Sequence, residues 1–281
     1  MTRKGFVFGL AILLSIVSSA LATAQTWVQI PNISLTQVSV GNFDQVWGLD
    51  AYGDVFHYNS LTGYFDELPA TLSQISAASD GSVWGLDSSQ GIWRYNATTS
   101  AFDRINGLLV QVSVGSMDNV WGVNSSGSIY RFDPTYQSWD QAPGALTSVY
   151  AGTDGSVWGI NGSQQVYYFS PASQKFTNVP ATLSQLSVGF GGNVWGVDSA
   201  QNIWFFDPTS QAFYQARGSL VQISAASAGV VVGVNAAQQI FEYDYSTGGW
   251  DRLPGALVTI AAGSDGSVWG INSANQVYVL Q

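Results

Sequence analysis

Cysteine is absent from the 281-residue chain and histidine occurs once. The first absence excludes disulfides, so burial must hold the fold together. The two together remove the Cys and His clusters on which zinc and copper sites are built. Charge is scarce as well: 9% of residues are charged, with 18 Asp and Glu against 8 Lys and Arg, a formal net charge of −10. An acidic chain repels phosphate backbones, which sets nucleic acid aside as a partner. Helical periodicity is missing after the first 22 residues, where short apolar runs alternate with Gly, Asn, Asp, Ser and Pro. That is the punctuation of strands and turns.

Long hydrophobic runs are confined to the N-terminus, "MTRKGFVFGLAILLSIVSSALATAQ". Arg3 and Lys4, an apolar run and small residues ending at Ala22 have the layout of a secretory signal peptide over residues 1–22. A membrane anchor is the alternative, but the apolar run is short for the ~20 residues a span needs. The reading makes 23–281 a single secreted, extracellular domain. Without Arg3 and Lys4 the acid excess grows, and the rest is rich in Ser, Gln, Asn, Gly and aromatics. Aromatics supply a core of adequate size. The neutral polar residues suit uncharged, hydroxyl-rich ligands.

What is present above all is repetition. "ASDGSVWGLD", "GTDGSVWGIN" and "GSDGSVWGIN" are versions of one sentence, and the Trp of that sentence recurs at Trp47, Trp84, Trp121, Trp158, Trp195 and Trp269, with Val232 in the remaining slot. Each step is 37 residues, giving seven units. A fixed period of this length belongs to blades or solenoids. In the third unit the apolar runs predict strands at 112–114, 120–123, 129–132 and 139–142, and four short strands per unit make a propeller blade. A solenoid would need atypical caps at its ends. Instead "WVQIP" at 27–31 matches the fourth-strand segments "FDELP", "FTNVP" and "WDRLP", while the chain stops just after the third strand of its last unit. The expectation is an all-β, seven-bladed propeller of four-stranded antiparallel blades, closed by residues 27–30 completing the last blade beside 277–280.

Most of the repeated residues then need no chemistry. Propeller sheets bury both faces, so the six tryptophans are structural, packed between blades, and the Gly after each permits close approach. Asp-Gly at 80, 154 and 265 are hairpin turns. Asp50, Asp87 and Asp198 share a slot with Asn124, Asn161, Asn235 and Asn272, as expected of a side chain bonding its own turn. Such interchange argues against paired catalytic carboxylates, and no catalytic residue, metal site or cofactor is assigned. His57 stands in a slot holding Arg94, Arg131, Tyr168, Phe205, Glu242 and Val279 elsewhere, which reads as a solvated outer position. Asp66, Asp103, Asp140 and Asp251 read as edge-strand charges, with weak pairing of Arg94 and Arg131 to them. Sequons occur at Asn32, Asn96, Asn124 and Asn161. Segments 111 residues apart match closely, "PATLSQIS" with "PATLSQLS" and "GLLVQVS" with "GSLVQIS", consistent with duplication of a three-blade block.

The order Val-Ser-Val-Gly, Val-Trp-Gly-Val-Asn, Ile-Tyr-Arg-Phe and an opening aromatic resembles the tectonin repeat, and the match spans 27–281. The resemblance implies sugar binding in defence or self-recognition, as in tachylectins, fish-egg lectins and fungal tectonins, with methylated sugars among the targets of the fungal members. Those lectins close with six blades where this chain counts seven. Ligand residues do not transfer one by one, so the candidate site comes from the sequence itself. Loops "GNFDQ", "GSMDN" and "GFGGN" in units one, three and five place Phe43, Met117 and Phe190 where a hairpin wants polar residues. Either these pack under a neighbouring blade, or each walls a shallow inter-blade sugar pocket, with Asp44, Asp118, Asn119 and Asn193 bonding hydroxyls. The expected partners are glycans on cell surfaces or glycoconjugates. A protein-binding scaffold is the alternative function, and an enzyme built on one atypical blade a third.

Overall fold

A computed structural model describes residues 25–226 and 229–281. The signal peptide expected over 1–22 lies outside the described residues, as do Ser227 and Ala228 in the sixth repeat. All regular structure described is β, 28 strands in seven four-stranded antiparallel sheets set round a ring. The molecule is a seven-bladed propeller. In the third blade the strands are Gln111–Ser116, Asn119–Val123, Ser128–Asp133 and Ser138–Ala145. The outermost runs further than expected, through Pro143, because a register shift between Ser128 and Ile129 lets the pairing resume at Ala145. An edge strand tolerates a proline, having no further ladder to serve.

The ring closes through its ends. Trp27–Ser34 pairs antiparallel with Gln276–Leu280, Trp27 opposite Leu280 and Val28 opposite Val279. Blades are then joined by rings. All six repeat tryptophans are buried, none above 3% exposed. Each inserts into the following blade: Trp84 meets Phe132 and Trp139 at 4.6 and 5.6 Å, and Trp269 meets Tyr58 and Phe65 at 4.7 and 6.1 Å. The glycine beside each is required by a leucine from the inter-blade link, since a Cβ on Gly122 would lie 2.4 Å from Leu109 Cδ1.

Around the central axis the innermost strands are laced by side chains. Gln111 Nε2 donates to the Val149 carbonyl at 2.9 Å while its Oε1 accepts from Val149 N at 3.0 Å, and Ser113 Oγ accepts from Ala151 N at 2.9 Å. Gln37 with Ser39 and Gln74 with Ser76 do the same from the first and second blades. The fourth blade offers Ser148 and Tyr150 in these positions and the seventh Thr259 and Ala261. Two seams, three blades apart, therefore lack the lacing, in keeping with the three-blade periodicity of the sequence.

Candidate inter-blade site

Because the strands alternate in direction, loops between the first and second strands and between the third and fourth open on one face. Turns between the second and third strands, with the links between blades, open on the other. The expected turn chemistry holds on both. Asp80 Oδ1 accepts from Ser82 N at 2.9 Å, with Gly81 at a φ of 86°. The Asp/Asn slot bonds its own turn in every blade; Asn124 Oδ1, for instance, accepts from Ser126 N and Ser128 N at 3.0 and 2.9 Å.

The Asp-Gly turns also reach across to the next blade. The second carboxylate oxygen of Asp80 accepts from Met117 N at 2.6 Å, that of Asp265 from Phe43 N at 2.9 Å, and that of Asp154 from Gly191 N at 2.8 Å. The three apolar loops are thus pinned by the carboxylate of the preceding blade, which explains why each follows an Asp-Gly turn.

The three apolar side chains meet different fates. Phe43 is half-buried, edge-on to Tyr58 at 5.7 Å and 5.9 Å from Trp269, so it packs under the neighbouring blade. Met117 and Phe190 stay 62% and 56% exposed. Asp44 and Asp118 are exposed, and their backbone carbonyls serve His57 Nε2 at 3.3 Å and Arg131 Nη2 at 3.5 Å. Asn119 is buried: its amide donates to the Gly152 carbonyl at 2.9 Å and its Oδ1 accepts from Trp121 Nε1 at 2.9 Å. Asn193 is engaged likewise, with the Ala226 carbonyl, Trp195 Nε1 and the Tyr245 hydroxyl. Both Asn side chains are committed to holding the ring together.

Around Met117 the structure builds a groove of about 470 Å³ between the second and third blades. Met117, Tyr95 and Pro134 supply apolar surface, and Asn96, Arg94 and Gln137 supply polar groups. Arg94 does not turn to Asp103, its cross-strand neighbour. Its guanidinium lies 5.7 Å from the Trp84 ring and 5.8 Å from Phe132, and Nη1 donates to Gln137 Oε1 at 2.9 Å. A partly desolvated cation gains more over an aromatic face than from an exposed acid.

The reading of His57 as a solvated outer position is corrected by the same geometry. His57 stacks on Trp47 at 4.2 Å and 23°, and burial pushes its imidazole below the ordinary value, against the Asp44 carbonyl and nearby Asp66 and Asp44 charges, which raise it. Its slot is the lid over the buried tryptophan, filled by Arg131 over Trp121, Tyr168 by Trp158 and Phe205 by Trp195. In the seventh blade the slot holds Val279, and Phe43 reaches Trp269 instead. The signal in the sequence was that the seventh blade alone sets an aliphatic residue, Val279, over its Trp and is followed by the Phe43 loop.

Of the sequons, Asn32 is exposed, whereas Asn96 donates to Asp103 at 2.8 Å and Asn124 and Asn161 hold their turns. Among the described residues no three His, Asp or Glu side chains group as a metal site.

The Tectonin domain family model matches residues 16–174 and 164–281. No curated protein matches the chain. Among solved structures, YCF48 from Cyanidioschyzon merolae is 15% identical, covering 91% of this chain and 98% of that one with a TM-score of 0.68. YCF48 bound to D1 peptide is 10% identical over 92% of this chain and 94% of that one, TM-score 0.67. The WD40 propeller domain of Doa1 is 9% identical over 91% and 97%, TM-score 0.67. Likeness at these identities speaks to the fold alone.

Proposed function

The chain belongs to the tectonin family, and from that premise we propose that it is an exported, multivalent lectin for neutral, hydroxyl-rich sugars, O-methylated ones included. The observation that carries the reading is the groove beside Met117. A pyranose has an apolar C–H face and a polar rim. Met117 and Tyr95 offer surface to the first, and for the second Asn96 and Gln137 each keep one amide hydrogen beyond those given to Asp103 and the Pro134 carbonyl. Asp80 fixes the Met117 loop from the neighbouring blade, so the wall is formed before any ligand arrives. Phe190 supplies an exposed counterpart in the fifth blade. Weak sites repeated on one rigid face bind a glycan-covered surface with an avidity far above any one affinity. The arrangement is one of binding and not catalysis, since the recurrent carboxylates serve turns and loops.

A propeller that holds a protein partner is the competing reading, supported by the fold it shares with YCF48 bound to D1 peptide. Residues 23–281 applied to a glycan array, methylated sugars included, separate the two. Binding competed by the free sugar and weakened by Met117→Ser supports the lectin. A folded protein that binds no glycan refutes it.

A further inference from the structure

The opposite face carries a second opening, between the first and second blades. Two adjoining cavities of about 500 and 410 Å³ meet at Thr71 and Leu72, which line both. Each alone has the size of a small-ligand pocket, typically ~300–1,000 Å³.

At one end stands Tyr52, 84% exposed. Its turn has no use for a ring. Asp50 Oδ1 closes the turn by accepting from Tyr52 N at 2.8 Å and Asp54 N at 2.9 Å. The other blades close the same turn with Ser89, Ser126, Ser163, Ala200, Ala237 or Ala274 in that place. An aromatic ring left in water where a small residue suffices marks a contact surface. Hydroxyls of Thr36, Thr71 and Ser88 line the first cavity, and the ring of Trp93, with Asp54 and Glu67, lines the second. Among the described residues no Lys, Arg or His lines either cavity, and the Arg104 guanidinium, 5.8 Å from the Trp93 ring centre, is bonded to the Ile92 carbonyl at 3.1 Å. Rings at both ends with hydroxyls and carboxylate oxygens between them suit a ligand that offers flat C–H faces and many O–H donors along its length. The carboxylates repel an acidic one.

We infer that this groove binds a linear saccharide chain free of acidic substituents, one sugar against Tyr52 and the chain running past Thr71 towards Trp93. The ligand class rests on the lectin reading; the site does not, being on the face opposite Met117. With terminal sugars held on one face and a chain on the other, the protein bridges two glycan surfaces.

The test is calorimetry of residues 23–281 with cellotetraose, chitotetraose and mannotetraose, their monosaccharides, and trigalacturonate. At least one neutral tetrasaccharide should bind about tenfold or more tighter than its monosaccharide, and trigalacturonate should not bind. Tyr52→Ser, a residue the turn accepts in three other blades, should remove that length-dependent gain. Tyr52→Trp should keep it, and Met117→Ser should leave it unchanged. Tetrasaccharide binding indifferent to Tyr52→Ser, no gain with length, or equal binding of trigalacturonate would overturn the inference. If sugar binding responds to Met117→Ser alone, the inference falls and the lectin reading stands. If the wild-type protein binds none of these sugars and nothing on a glycan array, both fall.

Discussion

Glu242 lies directly across the strand pair from Val232; it is the only acid in the lid slot, and Val232 is the only residue of the tryptophan slot that is not tryptophan. The two departures belong together. The face of an indole ring is electron-rich and attracts cations and ring edges, while a carboxylate above it is repelled. A valine beneath places no such demand on the lid. The following blade has adjusted too, presenting Leu280 where the first presents Tyr58.

Val232→Trp is therefore expected to destabilise the ring. Val232 is fully buried among Leu257, Ile260 and Val268, and forcing an indole into a closed core costs about 1–3 kcal/mol. Urea denaturation measures it; a gain in stability would show that the slot keeps the space of its sisters.

Glu242 itself gives a pH signature. Its carboxyl is held above the ordinary range by burial, with a bond from Gln25 opposing and the Asp251 charge adding. A raised folded value means the folded chain holds this proton more tightly than the unfolded one. The contribution is then fully present below the unfolded value of ~4.3 and is lost as pH rises through the folded value. Glu242→Gln should be more stable than the parent at pH 7, and the difference should vanish below about pH 4. A difference constant with pH would contradict this.

Asp87 predicts the reverse. Its carboxyl is held below the usual range by the Trp93 indole N–H at 2.8 Å, against burial, with backbone bonds from Gly91 and Ser89 and the Arg104 charge assisting. This contribution is present above the unfolded value of ~3.9 and lost as pH falls through the folded one. Asp198 holds Trp204 in the same way, whereas Asn161 and Asn272 donate to the hydroxyls of Tyr167 and Tyr278. Asp87→Asn sets a donor against a donor and should cost about 1–2 kcal/mol. In a double-mutant cycle with Trp93→Tyr, the pair should lose less than the sum of the single changes.

The unlaced seam between the fourth and fifth blades is open to repair. Ser148→Gln should bond Leu186 N and its carbonyl as Gln111 bonds Val149, raising stability by about 0.5–1.5 kcal/mol. Gln111→Ala should lower it by about 1–3 kcal/mol, because two backbone groups are left unpaired. Denaturant midpoints of the two variants moving in the same direction would refute the lacing.

The fold was legible because its signals repeat. The 37-residue step, the Asp/Asn turn slot and the terminal match of Trp27 with the fourth-strand aromatics each recur in several copies, and the structure realises all three. The site was harder to read, since its features lie where copies differ. Asn119 and Asn193 look like free polar groups until the Trp two residues later proves to need an acceptor. His57 and Arg94 look solvated until each is laid over the tryptophan opposite it in the sheet, Trp47 and Trp84, and Arg94 is met by Phe132 and Gln137 of the next blade. Phe43 and Met117 are indistinguishable in sequence. They part because Trp269 has only Val279 above it and takes Phe43, while Arg94 already covers Trp84 and leaves Met117 outside.

That divergence makes the most direct test of the account. Phe43→Ser, Met117→Ser and Phe190→Ser are compared for stability and for binding to the glycan surface selected by the array. Phe43→Ser should lose about 2–4 kcal/mol of stability. Met117→Ser and Phe190→Ser should stay within about 0.5 kcal/mol of the parent, and together they should weaken surface binding stepwise, through avidity. A folded Met117→Ser, Phe190→Ser double variant that binds the glycan surface as the wild type does would contradict the proposal that sugars are held in the grooves of this face.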